Sequence, residues 1–259
     1  MVNLQNFTMK QIPNILTLSN LLFGCLAIVT ANQIGFTFSV DNYGHQVIEI
    51  PEKLYYASAF IAIAAIIDFL DGFVARLFKA TSEMGKQLDS LADVVSFGVA
   101  PAMIIYQFLR LSLATQEGGL DASILWLAPA FIIPCAGAYR LGRFNLDDNQ
   151  SVIFKGLPIP AAGLLIASIP LIYWFTDSVT LFRNLWFWYA FIFIISYLMV
   201  STMPMLSLKL KDKSIKSFLP FIIIAVITAS AAILFGWLAV PAAFIAYVIL
   251  SLLFNKKQS

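Results

Sequence analysis

The stretch DFLDGFVARLFKATSEMGKQLDSLAD, Asp68 to Asp93, places four aspartates at the edges of two apolar runs, FIAIAAII before it and VVSFGVAPAMII after it. A charged side chain deep in hydrocarbon costs about 2.5–3.5 kcal/mol even on insertion scales. Four of them beside membrane-like segments need a chemical reason. Asp68 and Asp71 are three positions apart and share a helix face. Asp89 and Asp93 are four apart and share a face on the next helix. A short turn around Thr81–Glu83 makes the two helices antiparallel neighbours, so the four carboxylates converge.

The rest of the chain sets this stretch in a membrane. Of 259 residues, 60% are hydrophobic and 12% charged. The mean hydropathy is +0.86. A soluble domain carries about a quarter charged residues. A span needs about 20 mostly apolar residues. The sequence predicts an all-α, polytopic transmembrane bundle of about eight spans, at 13–33, 54–80, 84–110, 122–143, 157–176, 183–203, 216–234 and 238–254. The last two are separated only by FGW and read equally as a tight hairpin that does not fully cross. Residues 4–12 read as a short interfacial helix, and loop 34–53 as an outer connection.

With the N-terminus inside, 13 of the 16 Lys and Arg fall on one side. The positive-inside rule then puts both termini in the cytoplasm and the aspartates at the cytoplasmic ends of spans two and three. The cluster KLKDKSIK, 209–216, serves as a topology signal or a site for anionic headgroups. Cys25 and Cys135 lie in apolar segments with no His or Cys nearby and read as small core residues. His45 reads as solvated. The net charge of +2 gives no case for nucleic acid.

Four bare carboxylates in a low-dielectric cleft repel one another, and divalent cations remove the conflict. Oxygen ligands without Cys or His suit Mg²⁺, Mn²⁺ or Ca²⁺. Magnesium held by carboxylates commonly shares its shell with substrate phosphates. Gly72 and Ala75 remove bulk beside the carboxylates, Gly85 opens the facing helix, and Arg76 supplies a fixed cation for a phosphate. The pattern predicts a two-metal pocket for a pyrophosphate. The plainer alternative pairs these aspartates with Arg76, Lys79 and Lys86 at solvated helix ends. A different alternative is a cation transporter, because intramembrane aspartates often mark ion paths.

Asp71-Gly72-x2-Ala75-Arg76-x8-Gly85-x3-Asp89-x3-Asp93 resembles the signature of the CDP-alcohol phosphatidyltransferases at every fixed position, with Asp68 as the additional aspartate of many members. The resemblance implies transfer of a phosphatidyl group from a CDP-linked lipid to an alcohol, with release of CMP. It implies that Asp68, Asp71, Asp89 and Asp93 hold two ions, Mg²⁺ or Mn²⁺, and that Asp93 is the base for the acceptor hydroxyl. It places Gly72, Arg76 and Ser82 at the nucleotide, and it implies a homodimer. Asn14 and Thr17, in IPNILTLSNLLFGCLAI, are further candidates for the nucleotide.

A second segment, AYRLGRFNLDDNQSVIFKGLPIPAAG at 138–163, resembles the phosphatidylserine synthase branch, with Gly142 and Gly163 where alanine is commoner. That branch joins CDP-diacylglycerol to L-serine. Serine brings a carboxylate that an arginine fork can hold. Arg140, Arg143 and Lys155 are the acceptor candidates. Pairing of the two arginines with Asp147 or Asp148 is the alternative. Glycerol phosphate, inositol phosphate and choline remain rival acceptors. The expected organisation is one domain over 1–259. Its catalytic core covers about 12–203, and 204–259 form a basic loop and helical hairpin. The expected location is the cell's inner membrane, with the site facing the cytoplasm.

Overall fold

A computed structural model describes residues 4–33, 35–40, 46–51, 53–78, 82–116, 118–146, 154–175, 179–206 and 215–255. Helix α1, Leu4–Asn32, opens the chain and carries Pro13 inside it. The expected interfacial helix is therefore continuous with the first span. A two-stranded antiparallel ribbon follows, β1 Thr37–Val40 and β2 Gln46–Glu49, with Thr37 opposite Glu49. The sequence alone predicts only an outer loop over 34–53. Pairing gives these backbone groups partners that side chains alone do not supply.

Helix α2, Leu54–Leu77, is a long apolar run without internal Pro. Helix α3, Glu83–Asp93, starts at Ser82, whose Oγ accepts a hydrogen bond from Gly85 N at 3.0 Å. Glu83 in the first turn suits the positive helix end. The chain continues through a π-helical turn, Val94–Val99, into α4, Ala100–Ala114. The result is one rod, Glu83–Ala114. Helices α1 and α2 pack along each other, and α1 also lies against α3 and the π turn.

The predicted helix over 122–143 starts late. Residues Gly119–Asp121, Ile124–Trp126 and Ala128–Phe131 form 3₁₀ turns, and α5 covers only Ile132–Leu146. Pro129 lacks the N–H that a continuing α-helix would use. Pro134 is tolerated because the first turn of α5 leaves its N–H groups without intrahelical partners. Helix α6, Ile159–Phe175, the short α7, Val179–Phe182, and α8, Leu185–Val200, follow. Strand β3, Phe154–Lys155, pairs antiparallel with β4, Pro204–Met205. Helices α9, Ile215–Phe235, and α10, Ala239–Asn255, fold back on each other through Gly236, where φ is +57°.

Among the described residues, four segments are long and apolar enough to cross a membrane: Gln11–Asn32, Leu54–Leu77, Glu83–Ala114 and Leu219–Phe254, the last bent into the α9–α10 hairpin. Helices α6 and α8 are apolar but shorter, at 17 and 16 residues. The protein is a helical membrane protein. Cys25 and Cys135, expected in the core, are exposed. In hydrocarbon the outer face of a helix is as apolar as its inner face, so composition alone does not say which way a small apolar residue points. The packed core gathers at Phe108, Tyr173, Phe182 and Trp188, with Phe108 and Trp188 ring centroids 5.0 Å apart.

Candidate active site

Three of the four aspartates meet. Asp68, Asp71 and Asp89 each offer a carboxylate oxygen, and these oxygens lie within 4.8 Å of one another. Helix α2 supplies the first two from one face and α3 supplies the third. Asp93 lies one turn further along. Its carboxyl is within electrostatic reach of Asp68, Asp71 and Asp89. Asp71 and Asp93 are only 5% and 8% exposed, and Asp93 Oδ1 has no hydrogen-bond partner. Oxygens this close and this buried must be neutralised, by bound cations or by protons. The all-oxygen donor set of Asp68, Asp71 and Asp89 fits a hard divalent cation.

A cleft of about 540 Å³ opens beside this cluster. That is within the usual range of small-ligand pockets, roughly 300–1,000 Å³. Asn14 and Thr17 of α1, Gly72, Ala75 and Arg76 of α2, and Ser82 and Gly85 at the start of α3 all line it. A Cβ added at Gly72 meets nothing within 4 Å, so the glycine leaves open space where a ligand would lie. At Gly85 a Cβ would come within 3.1 Å of Asn14 Oδ1 and Ser82 Oγ, so this glycine lets α3 sit close to α1. Thr17 Oγ1 donates to Asp71 Oδ2 at 2.7 Å and orients that carboxylate. Arg76 is exposed at the rim.

The acceptor candidates separate. Arg140 is 4% exposed and lies within electrostatic reach of Asp93, and its Nε, like that of Arg143, lacks a partner. Its guanidinium carbon is 5.9 Å from the Phe144 ring centroid. Arg143, one turn on, donates from Nη1 to Val200 O at 2.7 Å and from Nη2 to Ser201 O at 2.9 Å. It therefore holds the last carbonyls of α8. Lys155 is exposed on β3, and like Arg140 and Arg143 it does not line the cleft. Lys79, Asp147 and Asp148 lie outside the described residues. Helix α5 is tied to α3 by Lys86 Nζ donating to Asn145 O at 3.4 Å and Asn145 Nδ2 donating to Ser90 Oγ at 2.8 Å. These bonds hold the helix that bears Arg140 against the helix that bears Asp93.

Sequence reading passed over Asn20, Ser96 and Asn145. Ser96 Oγ donates to Asn20 O at 3.0 Å, and a Cβ on Gly24 would strike Ser96. The polar spacing Thr17-x2-Asn20 within an apolar helix was the available signal.

The sequence pattern of the CDP-alcohol phosphatidyltransferase family matches residues 10–196 of the chain. The chain is 32% identical over 212 residues to a CDP-diacylglycerol–serine O-phosphatidyltransferase of Helicobacter pylori, covering 80% of this chain and 76% of the relative. It is 31% identical over 165 residues to the protein of that name in Bacillus subtilis, covering 64% of this chain and 78% of the relative. With the one from Methanocaldococcus jannaschii it shares 42% identity over 106 residues, covering 41% of this chain and 46% of the relative.

Proposed function

This chain belongs to the CDP-alcohol phosphatidyltransferase family, and from that premise we propose that it makes phosphatidylserine, moving the phosphatidyl group of CDP-diacylglycerol to the hydroxyl of L-serine and releasing CMP. The observation that carries the reading is the convergence of Asp68, Asp71 and Asp89 beside a cleft with an arginine at its rim. The relatives named above supply the choice of serine.

Asp68, Asp71, Asp89 and Asp93 would hold two divalent cations, Mg²⁺ or Mn²⁺. When bound, such ions neutralise a pyrophosphate and stabilise CMP as it departs. The chain's own residues do the rest. Gly72 and Ala75 leave room for the pyrophosphate and ribose, and Arg76 pairs with a phosphate at the rim. Ser82 caps α3 through its oxygen and keeps its hydroxyl proton for the nucleotide. Asn14 faces the nucleotide from α1. Thr17 holds Asp71 in place. Asp93 takes the proton from the serine hydroxyl. The serine oxygen forms the new bond to the phosphatidyl phosphorus, and the bond from phosphorus to the CMP oxygen breaks with its electron pair. Arg140, beside Asp93, is the group that receives the serine carboxylate. Lys155 adds positive charge to that side.

The setting proposed is the cell's inner membrane, with about eight crossings, both termini in the cytoplasm and the cleft facing it. There the donor keeps its acyl chains in lipid and its cytidine in water. Residues 12–203 form the catalytic core of a single domain, followed by the α9–α10 hairpin. The working unit is a homodimer.

The deciding experiment incubates purified protein with CDP-diacylglycerol, Mg²⁺ or Mn²⁺, and serine, glycerol phosphate, inositol phosphate or choline in turn. CMP and phosphatidylserine with serine alone are expected, and EDTA abolishes both. Turnover with another acceptor and none with serine overturns the serine assignment. Ion flux in liposomes without any CMP release overturns the transferase reading itself.

A further inference from the structure

Asn20 of α1 is fully buried, and neither its Oδ1 nor its Nδ2 has a hydrogen-bond partner. Buried carboxamides are rarely left this way, because losing water without gaining a partner is costly. A leucine at this place would pack without that cost. The position of Asn20 suggests what the amide serves.

The Thr17–Asp71 hydrogen bond fixes the register of α1 against α2. Three residues forward on α1 lead to Asn20, and three residues back on antiparallel α2 lead to Asp68. Each step is about 4.5 Å in the same direction, which sets Asn20 level with Asp68. On the other side, Ser96 Oγ reaches the Asn20 carbonyl at 3.0 Å. Asp93 precedes Ser96 by three residues, at the entry to the π turn. Asp93 Oδ1 is the other buried oxygen here without a partner. An unused N–H donor and an unused carboxylate oxygen are thus anchored to the same three helices. They are not hydrogen-bonded to each other, and a bridging water is the usual link between polar groups that do not meet directly.

We propose that Asn20 is a positioning residue for the transfer step, its Nδ2–H holding Asp93 Oδ1 through a bridging water so that the carboxylate meets the acceptor hydroxyl. The inference rests on the role proposed above for Asp93. The π turn belongs to the same device. Such turns re-aim side chains at functional sites, and this one starts at the residue after Asp93.

The test measures kcat, both KM values and Tm for wild type, Asn20→Leu and Asn20→Ala, purified in detergent. Wild type is assayed first: if it releases no CMP with serine, the assigned reaction fails, and the role of Asn20 in it fails for that separate reason. Given wild-type turnover, Asn20→Leu should lower kcat about tenfold or more, as loss of an orienting partner does. Both KM values should stay within about twofold, and Tm should equal or exceed that of wild type. If the larger leucine prevents folding, Asn20→Ala carries the same expectation for kcat and KM. An unchanged kcat in either variant overturns the proposal. So does a rise in the KM for serine at constant kcat, which would make Asn20 a ligand. A fall in kcat that only tracks a fall in Tm in both variants would make it structural, and overturns the proposal as well.

Discussion

The aspartate cleft and the clasp between α5 and α8 are both built from charged residues in an apolar chain, and they treat charge in opposite ways. In the cleft, three carboxylates crowd within 4.8 Å, and a fourth keeps one oxygen without a partner. In the clasp, Arg143 spends both terminal nitrogens on the carbonyls of Val200 and Ser201. Gly156 completes it: its N donates to Met203 O at 2.9 Å, and its φ of +76° turns β3 under the end of α8. Tyr247 and Ser251 of α10 hold Leu206 from the other side. A charge satisfied by backbone holds helices together. A charge left unsatisfied in a buried place is available to a ligand. Arg140 and Arg143 lie one turn apart on the same helix, and of the two only Arg143 has its terminal nitrogens on the α8 carbonyls among the described contacts.

The largest effect that would break this contrast lies at Asp93. Asp93→Asn keeps the shape and removes the proposed base, so CMP release should fall by about 10²–10⁴-fold, the usual worth of general-base catalysis. Tm should stay near that of wild type. Near-normal turnover in the purified variant would remove Asp93 from the chemistry.

Next comes the clasp. A Cβ at Gly156 would lie 2.5 Å from Met199 O and 2.7 Å from Ser201 O, at a backbone angle that side chains disfavour. Gly156→Ala should destabilise by about 2–4 kcal/mol. It should act through stability, visible as a lower Tm with both KM values moving together.

The two arginines sharpen the comparison most directly. Arg140→Lys loses the planar fork, and the KM for serine should rise about 10- to 100-fold while that for the lipid holds. Arg143→Ala should cost about 1–3 kcal/mol of stability without favouring either substrate. Equal shifts in both KM values for both variants would erase the distinction between them.

The smallest effect is at Gly72. Alanine there meets nothing within 4 Å and favours the helix, so Gly72→Ala should gain up to about 1 kcal/mol of stability. Its methyl group enters the cleft, and the KM for CDP-diacylglycerol should rise a few-fold. A variant both more stable and equally active would mean that the ligand does not pass that wall.

Much of the site was legible because helix periodicity is local. Asp68 and Asp71, or Asp89 and Asp93, share a face whatever else the chain does, and small residues at 72 and 75 must leave room beside them. The long apolar runs at 54–80, 216–234 and 238–254 likewise announced membrane helices. The 3₁₀ start before α5 was harder to read, because Pro129 and Pro134 interrupt a run that is apolar throughout. The β1–β2 ribbon was missed because only its cross-strand pairing defines it.

The sequence by itself determined a helical membrane protein with two acidic helix faces, since composition and a 3.6-residue repeat need no knowledge of neighbours. Only the tertiary structure decided which charges stay unpaired. Arg140 and Arg143 read alike along the chain, and Asn20 is hidden in an apolar helix. Their roles depend on the carbonyl ends of α8, the turn after Asp93 and the register of α1 on α2. Those partners lie far away in sequence, and hydrogen bonds act only over a few ångströms.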